Sequence, residues 1–276
     1  MSIVALILLT LRELRSKITM YILAGISTVI ILVLALGLSS SETPLGTVPT
    51  MFGVPLPPST LPAELGGVIR GMQAGLASGL FAGITLLGVI ATAAVIPDML
   101  EKGIVELHLS KPIERWKLLL GKYLGAVAAV LIISVYFLAG VWLVFGLRAG
   151  AWNVQVLLSA FTLTFIFACL YALVVLLGVV FRSTALSILG AFLYLFLIGG
   201  ILHSREAGLY LVSGNPVYRG LVDGLFYLLP QLSGMQENLG RQIMNASMDW
   251  KPFVQSFLSS CVLLGISAAV FRRQDY

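Results

Sequence analysis

The chain has 276 residues, 59% of them hydrophobic and 11% charged, with a formal net charge of +5. A soluble domain carries about 25% charged residues, so this composition excludes an ordinary soluble enzyme or binding module. No stretch of soluble composition is long enough for a folded domain outside a bilayer, and residues 1–276 read as a single all-α transmembrane domain.

Residues 3–11, IVALILLTL, are too few to cross a membrane. They precede the charges Arg12, Glu13, Arg15 and Lys17, the reverse of a secretory leader's order. Residues 1–17 are expected to lie at the interface as a helix that turns into the first span. Six segments then qualify as spans: 18–38, 76–97, 118–147, 156–181, 184–202 and 252–271. About 20 residues at a rise of about 1.5 Å each cross a hydrocarbon core about 30 Å thick. The third and fourth are longer, which predicts tilt or extension beyond the core.

Charge sets the expected orientation. With six spans, residues 1–17, the 98–122 stretch, the link at Arg182 and the C-terminus share one side. That side holds eleven basic and six acidic residues, a net +5, whereas the other holds six of each. The positive-inside rule then puts both termini in the cytoplasm. The overall positive charge belongs to the membrane surface and carries no sign of nucleic-acid binding.

Two long loops face the other side. Residues 39–75 contain Pro44, Pro49, Pro55, Pro57, Pro58 and Pro62, which predicts irregular chain followed by a short helix over 63–75 into the second span. In residues 203–251, Asn215-Pro216 marks a turn. Helical spacing follows over 217–229, with Arg219 and Asp223 on a polar face, and a second short helix is expected over 231–248.

The densest chemistry lies in residues 98–125, DMLEKGIVELHLSKPIERWKLLLGKYLG, which hold nine of the chain's 29 charged residues. Apolar Met99, Leu100, Ile104, Val105, Leu107 and Leu109 interleave with these charges, as in an amphipathic helix lying on a membrane surface. The Ser110-Lys111-Pro112 break then starts a new helix, since proline is tolerated in a first turn. The plainer reading is a solvated loop.

The N-terminal Leu-Arg-Glu-Leu core, the six spans, and an acidic-Gly-acidic loop running into Ser-Lys-Pro-Ile-x-Arg resemble one family. It is the permease subunit of a type-2 ABC transporter, in its compact six-span branch. The family pattern falls on Glu101, Gly103, Glu106, Leu107, Ser110, Lys111, Pro112, Ile113, Arg115, Leu120, Gly121 and Lys122, and the ending Phe271-Arg272-Arg273-x-Asp275 is also similar. His108 departs from it, where the family more often has Leu.

The resemblance implies that 98–117 is a coupling helix docking on a separate ATP-binding subunit. Residues Glu101, Gly103, Glu106, Ser110, Lys111, Pro112, Arg115, Gly121 and Lys122 would be its coupling set. It implies export across the inner membrane, a homodimer or a pairing with a sister permease through the first and fifth spans, and room for an outer-face partner. ATP and magnesium would sit on the partner subunit. This chain has no P-loop of its own, because Gly121-Lys122 is followed by Tyr123 and Trp116 stands at the first glycine position.

Other residues have bland readings. Lys122 is expected to snorkel to the headgroups. His108 and His203 fall on opposite sides and share no metal, and Cys169 and Cys261 behave as small apolar residues within spans. Gly79, Gly83 and Gly88, and Gly121 and Gly125, are expected to let helices pack closely. The competing classes are an intramembrane enzyme and an ATPase-independent secondary transporter. Both usually need ionisable groups or broken helices within the spans. Beyond Lys122 near the start of the third span, none of the spans holds such a group between its ends, and there is no G-x-S-x-G or H-E-x-x-H motif.

Overall fold

The computed structural model describes residues 3–43, 46–55, 62–100, 114–212 and 215–273. The described chain is an all-α membrane protein with one small sheet. Six helical stretches are long and apolar enough to cross a membrane: Ile18–Gly37, Ile69–Met99, Arg115–Ala149, Val154–Phe181, Thr184–His203 and Lys251–Arg273.

Helix α1 (Ile3–Ser16) buries Leu6, Thr10 and Leu14, one residue per turn, and leaves Val4 and Leu8 exposed. Lys17 then adopts an extended conformation and separates it from α2 (Ile18–Gly37). The loop that follows departs from the irregular chain its prolines predict. Strands β1 (Leu38–Thr43), β2 (Gly46–Met51) and β3 (Val54–Pro55) form an antiparallel sheet, with Leu38 opposite Met51 and Ser40 opposite Pro49. Prolines are compatible with so narrow a sheet, because an edge position does not require every N–H. Phe52 closes the hairpin at positive φ and donates its N–H to the Gly37 carbonyl at 2.7 Å. Its ring fills the space where a Gly37 side chain would stand, 2.6 Å from an added Cβ.

The short helix expected before the second span is continuous with it, as α3 (Pro62–Thr92). At 1.5 Å per residue, its 31 residues extend about 46 Å, well beyond a bilayer core. The chain breaks at Ala93-Ala94 and resumes as α4 (Val95–Met99). Pro97 explains the break, since its ring clashes with the carbonyl four residues back, at Ala93. The break exposes a backbone acceptor, the Thr92 carbonyl, which the buried Tyr171 hydroxyl satisfies at 3.0 Å.

Helices α5 (Arg115–Ala149) and α6 (Val154–Phe181) form the centre. Helix α6 is apolar on all sides and packs against α3, α5 and α12, as a largely buried helix does. Asn153 caps it by accepting from the Gln155 N–H at 3.2 Å. The same side chain donates to Gln73 Oε1 at 3.1 Å and to the Ile243 carbonyl at 2.9 Å, joining three elements at one point. Arg182, at φ 49°, and Ser183 make the tight turn into α7 (Thr184–Leu193).

The fifth span is not a plain helix. It passes through a π-turn at Tyr194–Ile198 before α8 (Gly199–His203). The Tyr194 carbonyl accepts from the Gly199 N–H, and an added Cβ at Gly199 would lie 3.0 Å from that oxygen. The Tyr194 hydroxyl donates to the Pro230 carbonyl, so the widened turn is tied to the following loop.

That loop holds α9 (Leu209–Val212), α10 (Pro216–Leu228) and α11 (Leu232–Ile243), then α12 (Lys251–Arg273). Asn215 caps α10 and Pro216 occupies its first turn, which is the use to which an Asn-Pro pair is suited. The second loop helix ends at Ile243, short of the expected 248, with Asn245 at positive φ.

The glycines divide in two. Gly121 and Gly125 admit α1 against α5, where an added Cβ would lie 2.5 Å from Leu6 and 2.5 Å from Thr10. Gly88 lies under Phe167, 3.2 Å from an added Cβ. Gly79 and Gly83, expected to do the same, face no atom of the described residues within 4 Å, and neither do Gly67, Gly71 and Gly75. These five lie four apart along one open ridge of α3.

Candidate functional site

Helices α1, α4, the start of α5 and the end of α12 meet at one end of the bundle, around the charged stretch singled out above. Residues 101–113 lie outside the described residues, and with them Glu101, Gly103, Glu106, Ser110, Lys111 and Pro112. What the structure places are the two flanks of that segment.

The entering flank is held by burial and charge together. Met99 and Leu100 are buried, and the Asp98 carboxylate accepts from Lys17 Nζ at 3.0 Å. Lys17 is the hinge residue between α1 and α2, so the start of the segment is fastened to the N-terminal helix pair. The ion pair is half-exposed and contributes about 0–1 kcal/mol. Its main effect is to set position.

The leaving flank is held differently. Glu114 enters α5 with extended backbone, and Lys117 pairs with its carboxylate at 3.2 Å. The Lys117 hydrogen bond, then that of the Trp116 indole, hold the Glu114 carboxyl below its ordinary value. Arg115 donates from Nη1 to the carbonyls of Phe271 at 3.3 Å and Arg272 at 3.4 Å, with its guanidinium over the Phe271 ring. The last carbonyls of a helix lack intrahelical partners and carry partial negative charge, so a cation there both bonds them and complements the dipole. Glu114, Arg115, Trp116 and Arg272 line an open groove of about 460 Å³ beside this contact.

Lys122 does not snorkel. Its side chain is 5% exposed and pairs with Glu13 of α1. The reason is steric: Gly121 and Gly125 let α1 cross directly over this face of α5, which covers the lysine and brings a carboxylate to it. Next to it in the helix, Tyr123 donates to the Ala168 carbonyl at 2.9 Å and stacks on Tyr171 at 5.8 Å, which stacks on Phe167 at 5.4 Å. This aromatic column joins α5 to α6 and, through Tyr171 and Thr92, to the break in α3.

Of the residues singled out from sequence, the structure therefore brings Arg115, Gly121 and Lys122 to one end of the bundle. Sequence reasoning missed Glu13, Lys17 and Asp98 as structural partners. Each was visible only as a charge near a span end, with nothing to say which opposite charge it would meet. Among the described residues no three His, Cys, Asp or Glu side chains are grouped to hold a metal ion. His203 lines a cavity at the opposite end, Cys169 is buried and Cys261 exposed, and both cysteines are free thiols.

No curated protein matches the chain. The family model described as ABC-2 family transporter protein matches residues 13–276, nearly the whole length. With six membrane-spanning helices beneath that match, the chain belongs to the ABC-2 transporters as a membrane permease subunit.

Proposed function

We propose that this permease is the membrane half of an ATP-driven exporter of the cytoplasmic (inner) membrane, with both termini in the cytoplasm. ATP and magnesium are held by a separate ATP-binding subunit, which docks on residues 98–117. The observation that carries this reading is the double anchoring of that segment. Asp98 ties its beginning to Lys17, and Arg115 ties its end to the last carbonyls of α12. A displacement of 101–113 is thereby passed to the α1–α2 hinge, α5 and α12 together, instead of being absorbed by a slack loop. Glu101, Gly103, Glu106, Ser110, Lys111 and Pro112 form the docking surface in this reading, and Arg115, Gly121 and Lys122 its frame.

The whole chain acts as one transmembrane domain, and two copies, or this chain and a sister permease, complete the transporter with two ATP-binding subunits. Tyr21, Val29 and Leu36 on α2, and Leu189 and Phe196 in the fifth span, are exposed, which supports contacts through these spans. A solvent-facing partner at the α10–α11 end fits the same arrangement.

The test reverses Glu101 and Glu106 and spares Arg115. The contacts of Arg115 with α12 would confound a reversal there. Co-purification of the ATP-binding subunit and permease-stimulated ATP hydrolysis are measured for wild type and for Glu101→Lys/Glu106→Lys. Loss of both, with unchanged membrane insertion, is expected. Equal co-purification and equal stimulation would leave the segment an ordinary loop.

A further inference from the structure

At the end of the bundle opposite α1, a polar chamber of about 320 Å³ lies between α11, the start of α12 and the ends of α8 and α10. An apolar groove of about 580 Å³ adjoins it. Tyr227, Lys251 and Gln255 line both, so the two are continuous. Each has the size of a ligand pocket.

The groove follows one face of α12. Trp250, Val254 and Leu258 lie four residues apart and are 66%, 58% and 59% exposed. At 1.5 Å per residue they extend about 12 Å down a membrane-spanning helix. Trp250 and Tyr227 stand at its polar end, the level at which aromatic side chains favour a membrane–water interface. The groove therefore lies in hydrocarbon while the chamber lies at headgroup depth.

The chamber's charged lining is Arg205, Arg241 and Lys251 against Glu237 and Asp249. Arg241 pairs with Glu237 at 2.8 Å, and Arg205 with Asp223 at 3.0 Å. The Asp249 carboxylate accepts from the Lys251 backbone N–H at 3.0 Å. The Lys251 ammonium has no ion pair among the described residues and stands at the seam where chamber meets groove. The walls around it are preformed. Gln255 donates to the Phe226 carbonyl at 2.9 Å, Ser256 accepts from the Gln231 N–H at 2.8 Å, and Asn238 accepts from the Asp249 N–H at 2.7 Å.

We propose that this paired cavity binds an anionic amphiphile, with a phosphodiester at Lys251, its polar head in the chamber and an acyl chain along Trp250, Val254 and Leu258. A cation with no ion pair among the described residues, set between a polar chamber and a lipid-facing groove, matches the order of charge and chain in a phospholipid. A charge-assisted contact at the seam orients the molecule, and burial of the chain holds it. The site goes beyond the transport reading and does not depend on the ATP-binding subunit.

The test uses the purified permease alone in nonionic detergent, with acyl-labelled phosphatidylglycerol as the probe. Saturable binding is expected, with Lys251→Gln weakening it about tenfold, the worth of one charged hydrogen bond, and Lys251→Arg restoring most of it. Leu258→Trp, which fills the groove, is expected to weaken it similarly. Unlabelled phosphatidylglycerol should compete, and glycerol phosphate should not. Equal competition by phosphatidylcholine would overturn the role of Lys251, and competition by glycerol phosphate would overturn the role of the groove. Unchanged binding in both folded variants, Lys251→Gln and Leu258→Trp, would overturn the site.

Discussion

Arg115 donates a hydrogen bond to the backbone carbonyl of Phe271 at 3.3 Å, across 156 residues of sequence. The first residue of α5 thus caps the last turn of α12. Replacing Arg115 with Ala is expected to cost about 1–2 kcal/mol, since the bonds are charge-assisted but partly exposed. A lower thermal-denaturation midpoint for the purified permease without its partner would show it. Glu101→Lys/Glu106→Lys should leave that midpoint unchanged. Identical midpoints for Arg115→Ala and wild type would mean that the cap contributes nothing.

The Lys122–Glu13 pair makes a second, asymmetric prediction. Lys122 is buried whereas Glu13 is about half-exposed, so the two ends of the pair are not equivalent. Glu13→Gln strands a buried ammonium and is expected to destabilise by about 2 kcal/mol, below the range for a fully buried pair. Adding Lys122→Met removes the stranded charge and should recover much of that loss. The double variant melting no higher than Glu13→Gln alone would exclude this account.

Asp223 makes a pH prediction at the opposite end. The Tyr210 hydroxyl, and then Arg205, hydrogen-bond its carboxylate and hold its pKa below the ordinary value. A carboxylate with a lowered folded pKa contributes stability that is fully present above its unfolded pKa, about 3.9. That contribution is lost as pH falls through the lowered value. Amide hydrogen exchange in α9 and α10 should therefore quicken on acidification below about pH 4. Asp223→Asn should show fast exchange already at neutral pH, with little further change. A wild-type profile matching that of Asp223→Asn at every pH would rule out the contribution.

Orientation is open to direct measurement in whole cells. Cys261 is exposed on α12 and has to be replaced before single cysteines are introduced. Cysteine at Val217, an exposed position on α10, is expected to react with an impermeant thiol reagent added outside. Cysteine at Ser110 should react only after the membrane is opened. Labelling of Ser110 from outside would reverse the topology and remove the docking proposal with it.

Local chemistry was enough for much of this fold. Apolar runs of about 20 residues have few alternatives to crossing a bilayer, because an unsatisfied backbone there is too costly. The α10 helix was legible from Asn215-Pro216 and a 3.6-residue period, and α1 from its length and trailing charges. The β1–β2 hairpin was not legible. Its prolines argue against a strand, and only cross-strand pairing of residues such as Ser40 with Pro49 overrides that preference. Nor was the π-turn at Tyr194–Ile198, where the hydrogen bond from Tyr194 to the Pro230 carbonyl, 36 residues on, accompanies the widened turn.

By itself the sequence determined the class, the six spans, the charge asymmetry and the place of the 98–117 segment, all set by composition and short-range periodicity. Tertiary structure decided which charges meet. Lys122 is a solvated lysine by its sequence surroundings and a buried ion-pair partner once α1 crosses the glycine face of α5. Arg115 looks like a surface contact until the end of α12 lies beneath it. Lys251 becomes a seam between two cavities only when α10, α11 and α12 assemble around it. The Lys122 and Arg115 pairings join residues 109 to 157 positions apart, and no local propensity encodes the approach of such distant segments.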